Sequence, residues 1–199
     1  MASRIEDYGL IGNLHTAALV SAGGSVDWLC APRFDSTACF AALVGFDEHG
    51  RWSIEPAAAV RERKRRYRDD TLILETEVRC AGGAYRLVEF MPPGERTEVV
   101  RIVEGLDGEV SLHMSLCARF DYGLDRPWVT HIDGGFSLVA GPDALLLRGP
   151  VEMSESPDGV GASFKLRPGE RVALTLTWHP SHLPAPEPVD VDAVAQLAT

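Results

Sequence analysis

Several classes of protein are excluded by what this sequence lacks. It has no apolar run of about 18 residues or more, so no membrane-spanning helix is expected. It lacks cationic excess: 19 Lys and Arg oppose 29 Asp and Glu, for a formal net charge of −10. A phosphate backbone needs a basic face, so the balance argues against a nucleic-acid partner. The four cysteines, Cys30, Cys39, Cys80 and Cys117, form no CxxC, and the histidines keep no metal-like spacing to them. They read as reduced, packed residues, and no metal or cofactor is expected. There is no G-x-S-x-G elbow, no heptad, no internal repeat and no βαβ spacing. The start, MASRIEDYG, carries acids where a signal peptide needs an apolar segment, which predicts a cytoplasmic chain.

What is present is an ordinary globular composition: 199 residues, 45% hydrophobic and 24% charged. That suits one large domain or a tight pair, with ample material for a core. Residues 14–30 read as a β-hairpin. Ser21-Ala22-Gly23-Gly24 is a turn by composition, and Val26, Trp28 and Cys30 fall on one side of a period-2 pattern. Pro32 biases Ala31 away from the α region and should end the strand. Residues 37–46 are small and apolar and read as one short helix under the hairpin. Residues 47–56 read as a turn and a strand with Trp52 and Ile54 inward. The basic run from Arg61 to Arg68 reads as a solvated loop or charged edge strand rather than an anion site.

Strand signals then dominate. Residues 71–91 read as a hairpin across Gly82-Gly83. Residues 98–104 form a strand and 105–108 a turn. Residues 109–120 alternate, with Val110, Leu112, Met114 and Leu116 on one face. Further short strands are expected at 128–132, 136–140, 144–148, 161–166 and 171–179, most bounded by Gly, Pro or Asp. About a dozen strands at this spacing predict an all-β fold, a large antiparallel β-sandwich. After residue 180 the chain is expected to change character. Residues 181–199 read as a Pro-rich linker entering a truncated helix, with Asp190 or Asp192 as N-cap and Val194 and Leu197 three apart.

The phrases DY-x-LIG-x-LHTAALVS, G-S-V-D-W-L-C and P-R-F-D-S carry a resemblance. They are followed in order by Arg66-Tyr67, Thr71-Leu72-Ile73-Leu74-Glu75-Thr76, Glu89-Phe90-Met91-Pro92-Pro93, Arg101-Ile102-Val103-Glu104-Gly105 and Arg119-Phe120-Asp121-Tyr122-Gly123. Their order and joint presence, from about Ile5 to His179-Pro180-Ser181, resemble the start of the glycoside hydrolase family 15 proteins of the glucoamylase/trehalase type. The resemblance implies a trehalase-like N-terminal β-sandwich followed by a helical-barrel catalytic domain. It also implies that the two catalytic glutamates belong to the barrel, so this chain alone is expected to be inactive.

The best functional candidates are Trp28, Arg33, Phe34 and Asp35. Aromatic surface beside a bidentate-capable Arg and an Asp can bind sugar hydroxyls. Within the architecture the resemblance implies, such a loop would rim the substrate pocket. The competing reading is that Arg33 and Asp35 only fix the loop while Trp28 and Phe34 pack. Arg119, Asp121, Tyr122 and Trp128 repeat the chemistry and are secondary rim or interface candidates. The carboxylate pairs Asp121/Asp125 and Asp27/Asp35 read as turn residues rather than an acid/base pair.

The expected function is a non-catalytic accessory domain of an α-glucosidic hydrolase. Its partners would be the barrel and an α-glucoside such as trehalose or a maltooligosaccharide. A stand-alone carbohydrate-binding module or a protein-docking module is the alternative. A domain of this kind is expected to expose an apolar patch, through which a homodimer is also possible.

Overall fold

The computed structural model describes residues 4–197, and of Leu197 the backbone alone. The first three residues of the N-terminal segment, the Leu197 side chain, Ala198 and Thr199 lie outside the described residues.

Sixteen strands form among the described residues, most of them on alternating or continuous apolar runs. In chain order they are β1 (Gly9–Gly12), β2 (Ala17–Val20), β3 (Ser25–Cys30), β4 (Ala38–Phe40), β5 (Arg51–Pro56), β6 (Val60–Tyr67), β7 (Leu74–Cys80) and β8 (Gly83–Phe90). There follow β9 (Glu98–Gly108), β10 (Val110–Cys117), β11 (Trp128–Ile132), β12 (Gly135–Ala140), β13 (Asp143–Arg148), β14 (Met153–Ser156), β15 (Gly159–Leu166) and β16 (Arg171–Pro180). One sheet runs β1-β2-β3-β5-β10-β15-β14, with β4 paired to β3. The other runs β11-β12-β13-β16-β9-β8-β7-β6. Every pairing is antiparallel. The inward residues of both sheets form one core, in which Trp52, Ile54, Leu87, Val103, Leu112, Met114 and Leu147 are all buried. The fold is the expected all-β sandwich.

Four local expectations are corrected. First, residues 37–46 are not a helix. Ala38–Phe40 pairs with β3 as β4, and only Ala42–Val44 turns, as one 3-10 turn. Small apolar residues suit either state, and here Cys39 and Phe40 reach the main core. Second, Val26 does not share a face with Trp28 and Cys30. Leu19 pairs with Trp28 but Val20 pairs with Val26, so Asp27 is the extra residue of a β-bulge. The bulge shifts the alternation: Val26 and Leu29 enter the main core, while Trp28 and Cys30 face a small cluster with Ala38 and Ala41. Third, residues 105–108 do not turn. They extend β9, with a bulge opposite Ala84 and Tyr85, and the chain crosses to the other sheet only after Gly108. Gly108 has φ 61, and a Cβ there would strike the Gly82 carbonyl. Fourth, Met153–Ser156 is a strand whose polar sequence gave no sign of it.

The basic run is an edge strand. β6 ends its sheet, and two of its cations are paired with carboxylates there. Arg66 and Arg68 both bind the buried Glu75 carboxylate, at 2.9 and 2.8 Å. Lys64 pairs with Glu62, and Arg65 donates to the carbonyls of Val20 and Asp7. Charge along an unpaired edge discourages another strand from adding to it.

The four cysteines are buried and free. The tail after β16 folds back. Helix α1 (Val191–Leu197) packs Val191, Val194 and Ala195 on an outer patch of Ile73, Val88, Phe90, Val100 and Ile102. The Asp190 carboxylate caps it, accepting from the amides of Asp192 and Ala193 at 3.0 and 3.1 Å. Arg171 pairs with Asp192 beside it.

Candidate functional site

The registers place the loops 13–16, 31–37, 41–50, 91–97, 118–127 and 141–142 at one end of the sandwich. Hydrogen bonds tie these loops across the two sheets. The Asn13 amide donates to the Arg96 carbonyl at 3.1 Å, and Thr97 Oγ1 donates to the Pro32 carbonyl at 2.9 Å. Within the first sheet, the Arg119 amide donates to the Cys39 carbonyl at 3.0 Å.

The 31–37 loop begins at a cis Ala31–Pro32 peptide. It is pinned by the Phe34 amide on the His15 carbonyl, 3.0 Å, and by the Arg33 amide on Ser36 Oγ, 3.1 Å. Arg33 Nε donates to Asp35 Oδ1 at 2.9 Å, with both side chains mostly in solvent. The hydrogen bond from Arg33, then a loop amide and the guanidinium charge, hold the Asp35 carboxyl below the usual range. Phe34 is 69% exposed. Leu14, His15, Arg33, Phe34 and Asp35 line an open recess of about 330 Å³.

Trp28 lies on the small outer cluster and is half-buried. Its ring centroid is 6.1 Å from that of Tyr122, tilted by 45°. Asp121 and Tyr122 adopt φ 49 and 59, a left-handed bend that carries the chain into Gly123. Gly123 stands against His49, whose ring is 5.8 Å from Phe46 and whose Nδ1 accepts the Phe46 amide. Two ring pairs, Trp28–Tyr122 and His49–Phe46, thus lie at the loop end on either side of Gly123.

The candidate residues thus fall into distinct places. Arg33, Phe34 and Asp35 share the recess, and Trp28 meets Tyr122. Arg119 is buried and turned inward, donating to the carbonyls of Ala118 at 2.8 Å and Asp158 at 3.3 Å. Asp121 is exposed on the bend, and Trp128 stands 84% exposed at the start of β11. The weighed carboxylates Asp27 and Asp35 have separate partners. Asp27 is buried on its bulge, accepting from Tyr8 Oη at 2.8 Å, whereas Asp35 is bound to Arg33. Asp125 sits in a bridge to Phe120. Among the described residues no cluster of His, Cys, Asp or Glu could hold a metal ion.

Sequence reasoning passed over the exposed apolar residues of these loops. Leu14, Val44, Phe46, Leu124 and Leu183 are each more than half exposed, as are Phe34 and Trp128. Ile5 alone, among the described large apolar residues, is so exposed elsewhere. The available signal was an apolar residue isolated between turn formers: Phe46 between Gly45 and Asp47, Leu124 between Gly123 and Asp125.

The family profile described as "Trehalase-like, N-terminal" matches residues 1–167, most of the chain. The chain belongs to the trehalase-like N-terminal family. Among curated relatives, it is 28% identical over 187 residues to a trehalase of Thermoplasma volcanium, covering 90% of this chain and 30% of that protein. It is 34% identical over 138 residues to trehalase 1 of Sulfolobus acidocaldarius, covering 68% and 23%. It is 28% identical over 211 residues to a trehalase of Mycolicibacterium smegmatis, covering 92% and 31%. This trehalase-like N-terminal chain therefore spans less than a third of the relatives it matches. No helix among its described residues is long and apolar enough to cross a membrane.

Proposed function

We propose that the chain is a non-catalytic N-terminal accessory domain of a cytoplasmic α-glucosidic hydrolase of glycoside hydrolase family 15, acting on trehalose or a related glucoside. Residues 1–180 form the sandwich unit, and 181–199 lead toward a helical-barrel catalytic domain. The observation that carries this reading is the pairing of coverages: nearly the whole chain aligns with proteins named trehalase, yet it accounts for less than a third of each. Glycoside hydrolysis needs two carboxyl groups flanking one bond, about 5–10 Å apart. Of the carboxylates weighed above, Asp27 and Asp35 are instead engaged with Tyr8 and with Arg33. The function is thus support of a separate catalytic unit.

Within this reading Arg33 and Asp35 form part of the pocket rim, and Trp28, Phe34, Tyr122 and Trp128 supply its apolar wall. Arg119 and Asp121 hold and shape the 118–127 loop. The decisive test is glucose release from trehalose and α-linked glucose oligomers by the purified 199-residue chain. No release is expected. Release that co-purifies with the chain and is lost on heating would overturn the reading. Calorimetric titration with trehalose addresses the other reading, a stand-alone carbohydrate-binding module, which requires affinity without a partner.

A further inference from the structure

We propose that the open edge of β11 pairs antiparallel with the same edge of a second copy of this chain, with Thr130 at the centre of the pairing. Such a dimer uses backbone groups rather than the apolar loops, and it is independent of the accessory-domain reading. An unpaired strand edge is a template for another strand, so each edge of a sandwich needs its own protection. Here the two sheets end in β1 and β14 and in β11 and β6.

Three of these edges are closed or guarded. β6 carries charge along most of its length. At β1 the Tyr67 hydroxyl accepts from the Leu10 amide at 2.8 Å and donates to the Leu10 carbonyl at 2.9 Å, so a side chain fills the place of a further strand. β14 has only four residues, with Glu155 inside it and Glu152 just before it. Two copies meeting there would bring like charges together, which is destabilising.

β11 has no such protection. Its five residues, Trp128-Val129-Thr130-His131-Ile132, include no acid, no Lys or Arg, no Pro and no Gly. Most are aromatic or β-branched types that favour an extended, pairing-ready backbone. β12 takes one side, in the register from Trp128↔Val139 to Ile132↔Gly135. On the other side, no hydrogen bond reaches residues 128–132 among the described residues.

The chemistry of the strand selects a second copy as its partner. Neighbouring pairs in an antiparallel ladder alternate between hydrogen-bonded and open types. A two-fold axis must therefore pass through one pair, and some residue must meet itself. With Thr130 in that position, Val129 meets His131 and Trp128 meets Ile132. The Thr–Thr pair and the aromatic–β-branched pair are both favourable across strands. Val129 packs on the core, so alternation puts Thr130 and Trp128 on the outer face, where Trp128 is 84% exposed and gains cover. The ends match as well. Arg126 before the strand and Asp133 after it are exposed, and neither has an ion-pair partner among the described residues. Antiparallel pairing brings each copy's Arg126 to the end where the other's Asp133 stands, whereas parallel pairing would set like charges side by side. Two five-residue edges bury less than the roughly 1,200 Å² of a stable interface, so the dimer is weak and reversible.

Sedimentation velocity of the 199-residue chain, from about 10 μM to about 1 mM, should show dimer growing with concentration. Thr130→Lys sets two ammonium groups face to face and should weaken the dimer about tenfold or more, with an unchanged melting temperature because the site is exposed. Thr130→Cys, treated with diamide as oxidant, should form a covalent dimer many-fold faster than His131→Cys, because only residue 130 meets its own copy. The four native cysteines are buried and do not compete.

A wild-type chain that stays monomeric across this range would overturn the proposal, and is the result expected if β11 instead receives a strand of some other protein segment. A dimer undisturbed by Thr130→Lys would place the interface elsewhere and overturn it too, as would equal linking rates for the two cysteine variants. None of these results touches the accessory-domain reading, which is tested separately by glucose release.

Discussion

Arg101 and Glu89 form an ion pair, 2.7 Å apart, with neither side chain exposed to any degree. They oppose each other on β9 and β8. The guanidinium also donates to the Trp52 carbonyl at 2.7 Å, in the other sheet, and to the Gly24 carbonyl at 2.6 Å, in that sheet's β2–β3 turn, and lies over the Trp52 ring. Gly24, at φ 87, is the turn residue whose conformation aims that carbonyl inward. One side chain therefore laces the two sheets together through an otherwise apolar core. Removing Arg101 strands a buried carboxylate and takes a donor from each of two carbonyls. Arg101→Met should cost about 3–5 kcal/mol by urea unfolding, and adding Glu89→Leu should recover part of that loss. An Arg101→Met chain with wild-type stability would show that the lacing contributes nothing.

Glu75 sets one acid limit of the fold. Burial works against its ionisation, but hydrogen bonds from Arg68 and Arg66 more than offset this and hold its pKa below the ordinary value. A carboxyl depressed in the folded state stabilises above its unfolded pKa of about 4.3, and that stabilisation is lost as pH falls through the lower folded value. Glu75→Gln should cost about 1 kcal/mol near pH 7, the value being held down by the exposure of Arg66. Melting curves of the two proteins should converge as pH falls below that of the unfolded carboxyl.

Glu98 should behave with the opposite sign. Burial raises its pKa, with the 2.9 Å bond from Thr177 Oγ1 and the charges of Arg96 and Arg148 opposing. The folded state therefore binds the proton more tightly, and stability falls as pH rises from the unfolded to the folded pKa. Glu98→Gln keeps an acceptor for Thr177 and removes the buried charge. It should raise the melting temperature at pH 7 by about 2–4 °C, corresponding to about 1 kcal/mol, and the gain should vanish near pH 4.

Arg33→Ala separates a rim role from a loop-fixing one. The pair with Asp35 is exposed, so its loss should leave the melting temperature of the chain unchanged. In the longer hydrolase the same substitution should lower kcat/KM for the glucoside. Unchanged kinetics with a lowered melting temperature would mean that Arg33 only fixes its loop.

Asp190→Ala tests the seating of α1. Loss of an N-cap costs about 1 kcal/mol, and a seven-residue helix has little intrinsic stability to absorb it. Amide exchange should accelerate at residues 192–196, with β10 unaffected. Protection that persists at α1 would place its stability in the apolar contacts to Phe90 and Ile102 alone.

The parts of this fold that could be read from sequence are those whose pattern is local. The β2–β3 and β7–β8 hairpins announce themselves by turn glycines, and the inward face of β10 by strict alternation. The bulge at Asp27 could not be read, because one extra residue leaves composition unchanged while exchanging the faces of Val26 and Trp28. β4 was hidden because Ala38, Cys39 and Phe40 are as acceptable in a helix as in a strand, and pairing with β3 decides between them. In the candidate site, Arg33, Phe34 and Asp35 stood out by chemistry and lie together in one loop. Arg119 has the same chemistry but points inward, held by the carbonyls of Ala118 and Asp158, which carry no sequence signature, with the Asp158 carboxylate 4.0 Å away. The charged pair Arg101 and Glu89 lay in full view inside apolar strands and signals burial only once β8 and β9 are paired.

The interleaving of the two sheets has a consequence for synthesis. One sheet is made of residues 9–56, 110–117 and 153–166, the other of residues 60–108, 128–148 and 171–180. On the ribosome, β5 and β9 emerge long before their second neighbours, β10 and β16. At about 5–20 residues per second, half-built sheets wait several seconds with apolar faces uncovered. The nascent chain is therefore a client for holding chaperones until β16 appears, and stalling the ribosome between β9 and β16 should trap it in their grip.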